Sequence, residues 1–317
     1  MAQSNHTIKD VYNDIFTIND YFYETENGQL IDNTNSNDLI HKYCHYDNHS
    51  GNGKCNDYFQ RVSSAIIHLL EMLKDKLDSK YDKLAEYAIL WLSYKLNEKP
   101  KDKLTDLNKF YTQYIEKNND YNKNINGDDN MTYKNIIDKK KYLMNIKEIS
   151  KFNDPFGMLL SLYYLINNKK LNCTNYLEKA NEFADQFKNL NKDSNNTKDS
   201  PFIQILSTLS NDYENIKNIY HEKKSCEFPS LSKIEPKEIP VKNSEKGSGQ
   251  SLGVTFEVTS SSSSILNTII PGLSTFAIPV FLGVAYKYSL FGIDKLFQRQ
   301  YIRNKLKKTK KKMELNI

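Results

Sequence analysis

Three arginines, one tryptophan, four cysteines and six histidines are all that this chain of 317 residues holds of those types. No nucleophile elbow between a strand and a helix, phosphate loop following a strand or His-Glu-x-x-His helix occurs, and no carboxylates pair at an identifiable spacing. Catalysis therefore has no motif to rest on, and the chain reads as a non-enzyme without a cofactor or a metal. Strand-like alternation is missing from the first 226 residues. The opening MAQSNHTIKDVYNDIF lacks the charged and apolar regions of a secretory signal. Most telling is an absence of charge, for none falls between Glu257 and Lys287.

Within that gap Ile265 to Tyr286 forms a run of 22 uncharged residues. At about 1.5 Å per residue it spans roughly 33 Å, enough to cross a bilayer. Pro271 and Pro279 would break a soluble helix but are tolerated in a span, where neighbouring groups satisfy the freed carbonyls. Gly272 and Gly283 are not four apart, so the small-xxx-small pairing signal is absent. The net charge of +5 is concentrated after the span, where ten Lys/Arg face Asp294 and Glu314, a local +8 that leaves about −3 on residues 1–286. Cations stay on the cytosolic side, so a single-pass protein is expected, with its N-terminus outside and its C-terminus cytosolic.

The first 226 residues read as a mainly α, antiparallel bundle-like ectodomain. Val11, Ile15, Ile18 and Phe22 mark a short amphipathic helix, and Tyr58, Val62, Ala65, Ile66, Leu69 and Leu73 mark the next. Residues 84–96, with Trp91, are apolar on almost every side and belong in the middle of the domain. Helical faces follow at 104–117, 136–144, 156–166 and 176–187. The last helix has Ser200 as its cap, Pro201 at its first position, and Phe202, Ile205, Leu206, Leu209, Tyr213, Ile216 and Tyr220 on one stripe.

Residues 24–56 are rich in Asn, Asp and Gly and read as loop. They bring together His41, Cys44, His45, His49 and Cys55, the ligand types that zinc prefers, at a spacing that matches no structural-zinc pattern. An outward-facing domain favours the other reading, a disulfide between Cys44 and Cys55. Asn122, Asn124, Asn126 and Gly127 echo half of a calcium loop, but amides stand where carboxylates are needed and Tyr133 holds the twelfth position. Calcium is therefore not expected there.

From residue 227 to 264 prolines, glycines and a serine run replace apolar periodicity, which reads as a flexible stalk with a root-mean-square span of roughly 35 Å. Residues 287–317 form a basic tail with apolar Leu290, Ile293, Phe297 and Tyr301. Its cations Lys295, Arg299, Arg303, Lys305, Lys307, Lys308, Lys310, Lys311 and Lys312 suit anionic lipids of the inner leaflet. Tethering at the bilayer speaks against nucleic acid as a partner.

Several segments resemble the PIR (Plasmodium interspersed repeat) proteins of malaria parasites, especially those of rodent-infecting species. They are AEYAILWLSYKLN (85–97), IDKKKYLMNIKEISKF (137–152), NCTNYLEKANEFADQF (172–187), SPFIQILSTLSNDYENIK (200–217), FPSL (228–231), SSSSSI (260–265) and FLGVAYKYSLFG (281–292). The resemblance implies a variant, non-catalytic antigen of the infected host cell, meeting a host surface protein or antibody. An exported structural or trafficking protein at internal membranes is the alternative. In many members cysteines stand where this chain has Tyr12, Ile66, Leu160 and Tyr220, while Cys44, Cys55 and Cys173 look retained. Of the three possible connectivities, Cys44 with Cys55 and Cys173 with Cys226 is the preferred one.

Overall fold

A computed structural model describes residues 7–238, apart from 34–36, 47–52, 78–79, 101, 147, 168–172 and 223–225. The expected span at 265–286, the basic tail and most of the expected stalk lie outside the described residues, among which no helix is long and apolar enough to cross a membrane.

The described chain is mainly helical. Helix α1 (Ile8–Asn19) opens with the Asp10 carboxylate accepting from the Thr7 N–H at 2.9 Å. Helix α2 (Asn37–His41) is a short turn, and α3 (Tyr58–Lys74) starts where Asp57 accepts from the Gln60 N–H at 2.7 Å. Helix α4 (Tyr81–Glu98) is the hub, packing on α3, on α6 (Tyr133–Asp138) and on α7 (Asn153–Asn167). Helix α7 also meets α1, α8 (Cys173–Asn191) and α9 (Pro201–Glu222). The Ser200 hydroxyl caps α9, accepting from the Ile203 N–H at 3.2 Å, and Pro201 fills the first position, where no N–H is needed.

Every residue of α4 from Leu84 to Leu96 is buried, as its all-round apolar pattern demands. Trp91 is part of that core, its indole N–H donating to Asn19 Oδ1 at 3.2 Å. Two members of the buried run carry charge, Glu86 and Lys95. The Lys95 ammonium donates to the carbonyls of Asn19 and Phe22 at 2.8 and 2.9 Å and pairs with Glu98 at 3.0 Å. It thereby satisfies a carbonyl at the C-terminal end of α1, which no intrahelical N–H can reach.

In four places the structure departs from the sequence reading. Phe22 leaves the α1 stripe for β1 (Phe22–Glu24), which pairs antiparallel with β2 (Leu30–Asp32) inside the segment read as loop. Strands of three residues are too short for alternation to register in a sequence. Gly28 makes the turn possible with φ 82°, a conformation that other residues rarely adopt. Second, α2 also lies within that loop segment. Third, the helix expected over 104–117 begins only at Leu107, as α5 (Leu107–Phe110) followed by a wider π turn at Tyr111–Ile115, and the face expected over 136–144 is divided between α6, which ends at Asp138, and a 3₁₀ turn at Lys141–Asn145. Fourth, the folded unit continues past Cys226, into the segment read as stalk. Phe228 is buried against the rings of Tyr213 and Tyr220, the Tyr213 hydroxyl donates to the Pro229 carbonyl at 2.8 Å, and the Lys237 N–H donates to the Asn196 carbonyl at 2.7 Å. Residues 226–238 are thus a strap across α8 and α9, whose hydrogen bonds are mostly to its backbone, so no apolar period marks it.

Candidate interaction site

Two disulfides brace the domain. Cys44 joins Cys55 with Cα atoms 5.3 Å apart, and Cys173 joins Cys226 at 5.6 Å. The first closes the polar loop on α3, and the second ties the start of α8 to the strap. The imidazoles near the first have protein partners. His41 Nδ1 accepts from the Cys55 N–H at 2.9 Å, and its Nε2 lies 3.5 Å from Asp32, which also receives the Arg61 guanidinium at 2.8 and 3.0 Å. Burial and the Arg61 charge hold the His41 pKa below its ordinary value, against the pull of Asp32. His45 Nδ1 meets the buried Asp120 at 2.7 Å. With both sulfurs bonded to each other, no zinc ligand set forms there, and among the described residues no group of three or more His, Cys, Asp or Glu side chains could hold a metal. His49 lies outside them.

The calcium-like loop is stitched to α3. Asn126 donates from its backbone N–H and side-chain amide to the Glu71 carboxylate at 3.2 and 2.7 Å, and the Tyr133 hydroxyl donates to the same carboxylate. Gly127, at φ 77°, supplies the turn.

The polar chemistry that sequence reasoning missed lies between α4 and α9. Asp212 is buried and accepts from the hydroxyls of Tyr12 at 2.8 Å and Tyr87 at 3.0 Å, while the Tyr163 hydroxyl donates to its backbone carbonyl at 2.6 Å. Burial raises the Asp212 carboxyl from 3.8 to about 7, against the two tyrosine hydrogen bonds and the nearby Lys83 charge, which favour the carboxylate. One helical turn earlier, Lys83 Nζ bridges Glu86 at 3.2 Å and the Thr208 hydroxyl at 2.8 Å, and that hydroxyl also donates to Glu86. Above this floor opens a cleft of about 510 Å³, lined on one side by Asp82, Lys83 and Glu86 and on the other by Gln204, Ser207, Thr208 and Asn211. Lys140, Lys198, Asp199 and Ile203 complete its walls. Exposed Tyr142 adjoins it, donating to Gln204 Oε1 at 2.6 Å and accepting from Lys140 at 3.2 Å. A signal was available. Asp212 sits three residues after Leu209 and four before Ile216, on the apolar stripe of α9 where a carboxylate should not be.

Of the expected site residues, the four cysteines lie in the described domain, whereas Lys295, Arg299, Arg303, Lys305, Lys307, Lys308, Lys310, Lys311 and Lys312 lie outside the described residues. No curated protein matches the chain. A solved structure described as "Structure of a Plasmodium PIR protein ectodomain" is similar at 33% identity and a TM-score of 0.58, covering 73% of this chain and 99% of its own. The family described as "Plasmodium variant antigen protein Cir/Yir/Bir" matches residues 12–287, which takes in most of the helical domain, the segment expected as stalk and the uncharged run. On both counts the chain belongs to the Plasmodium Cir/Yir/Bir variant antigens, the PIR proteins.

Proposed function

We propose that this protein is a variant surface antigen of the malaria-infected host cell, acting by contact with host molecules and in immune evasion rather than by catalysis. The helical domain faces outward, residues 265–286 form the single span, and the tail from Lys287 is cytosolic. Its membership of a variant antigen family carries this reading. Two disulfides in the domain support it, since such bonds persist in oxidising surroundings and not in a reducing cytosol. The cations Lys307, Lys308, Lys310, Lys311 and Lys312 rest on the anionic inner leaflet, each adding about 1 kcal/mol of attraction. That dense cluster also favours a second reading, an exported structural or trafficking protein whose tail recruits cytosolic partners at an internal membrane.

Protease access separates the two. On intact infected cells the surface reading expects cleavage between residue 239 and the span, releasing the disulfide-bonded domain while the tail stays protected. Protection until an internal membrane is opened would overturn it in favour of the second reading.

A further inference from the structure

We propose that the cleft between α4 and α9 is a binding site for a neutral oligosaccharide. Its charges come in equal numbers, Lys83, Lys140 and Lys198 against Asp82, Glu86 and Asp199. Two of the opposite pairs are joined, Lys83 with Glu86 at 3.2 Å and Lys140 with Asp82 at 3.9 Å. Such walls focus no field of either sign, so they select neither an anion nor a cation. What they offer is hydrogen bonding in both directions, from the amides of Gln204 and Asn211 and the hydroxyl of Ser207. A sugar hydroxyl, which donates once and accepts twice, is the ligand group that fits this mixture.

Sugars also present apolar C–H faces, and a ring stands at the edge of the cleft to meet them. Tyr142 is 37% exposed, one of two large hydrophobic side chains so exposed among the described residues. Its hydroxyl is held at 2.6 Å from Gln204, so the ring stands beside the polar wall with its orientation restricted. The Glu86, Thr208 and Lys83 network fixes the floor in the same way. Side chains already ordered lose little entropy on binding, which matters for a weak, polar ligand. The volume, about 510 Å³, lies within the range of ligand clefts, and Ile203 adds an apolar patch to the polar wall, a mixture that suits a sugar's hydroxyls and C–H faces.

The inference deepens the reading of the domain as outward-facing, since it names the chemistry of a host-surface partner, and its test is independent of location. Full-length protein in lipid nanodiscs is passed over immobilised neutral oligosaccharides of hexose and N-acetylhexosamine, with heparin as a sulfated probe. Retention on a neutral probe that survives high salt is expected, and Tyr142→Ala and Gln204→Ala should each weaken it about tenfold with unchanged melting curves. Both side chains lie at the surface, and a second pair, Tyr142→Phe and Gln204→Glu, covers any failure to fold. The proposal is overturned if no neutral probe is retained, if retention is indifferent to all four variants, or if only heparin is held and salt removes it. Protease access on cells fails or succeeds separately from each of these results.

Discussion

Replacing Asp212 by Asn should remove a pH dependence that the buried carboxyl builds into the fold. In the native state the group faces the Tyr12 hydroxyl from α1, the Tyr87 hydroxyl with Lys83 and Glu86 from α4, and Tyr163 from α7. Desolvation outweighs these partners, and the pKa rises from 3.8 to about 7. The gap corresponds to about 4 kcal/mol at 1.36 kcal/mol per pH unit. Because the folded-state pKa is raised, the contribution of this group to stability is complete below its ordinary pKa and is lost as pH rises through the folded value. Between pH 5 and 7 the loss runs at about 1.4 kcal/mol per unit. His41 and His68 work in the opposite sense, since burial lowers their pKa values, so their stabilisation is complete above the ordinary histidine value and lost on acidification. Those contributions are common to the wild type and Asp212→Asn and cancel in their difference. Urea unfolding of the fragment 1–239, with disulfides intact and circular dichroism as the signal, measures that difference from about pH 5 to 8. Asp212→Asn should gain about 3 kcal/mol relative to wild type across the range. Parallel stability curves, agreeing within about 0.5 kcal/mol, would show that Asp212 titrates at an ordinary pKa and would refute the reasoning.

Opening the Cys173–Cys226 bridge, which spans 53 residues, by a double Ala substitution should cost about 4 kcal/mol, against about 3 kcal/mol for Cys44–Cys55, which spans 11. Limited proteolysis of the first variant should cut the strap at 226–238 before any helix, as peptide mapping would report. Lys95→Met should lower unfolding free energy by about 3 kcal/mol in the same urea assay, because the carbonyls of Asn19 and Phe22 lose the ammonium donor and Glu98 loses its ion-pair partner, keeping only the Asn19 amide.

Elements with a long apolar stripe were legible before the structure. The buried run of α4, the cap and first turn of α9 and the stripe of α3 all follow from periodicity and capping, because long helices repeat their signal several times. Elements held by backbone or polar contacts were not. The β1–β2 hairpin has a single fully buried position, Phe22, and the strap depends largely on donors to backbone carbonyls. Polar residues misled in the same way. Lys95 and Glu86 lie inside an apolar run, where a sequence shows their charge but not their partners 76 and 122 residues away.

The four positions at which the resemblance expects cysteine can be placed in this fold. Tyr12, Ile66, Leu160 and Tyr220 are all buried here, so packing occupies the places where the resemblance puts sulfur. Tyr220 packs on Tyr176 and Phe228 at 5.1 and 4.6 Å between ring centres, which fastens the strap close to Cys226. Tyr12 stacks on Tyr163 at 4.4 Å and also gives Asp212 a hydrogen bond at 2.8 Å. A cysteine at position 12 could do neither, since its thiol is a weak donor and too short to span that distance from the same backbone. The buried carboxyl and the aromatic side chain at position 12 therefore depend on each other: without Tyr12, Tyr87 would be left as the sole tyrosine donor to the Asp212 side chain among the described residues. In this chain the core near α1 is held by a directional polar network centred on Asp212.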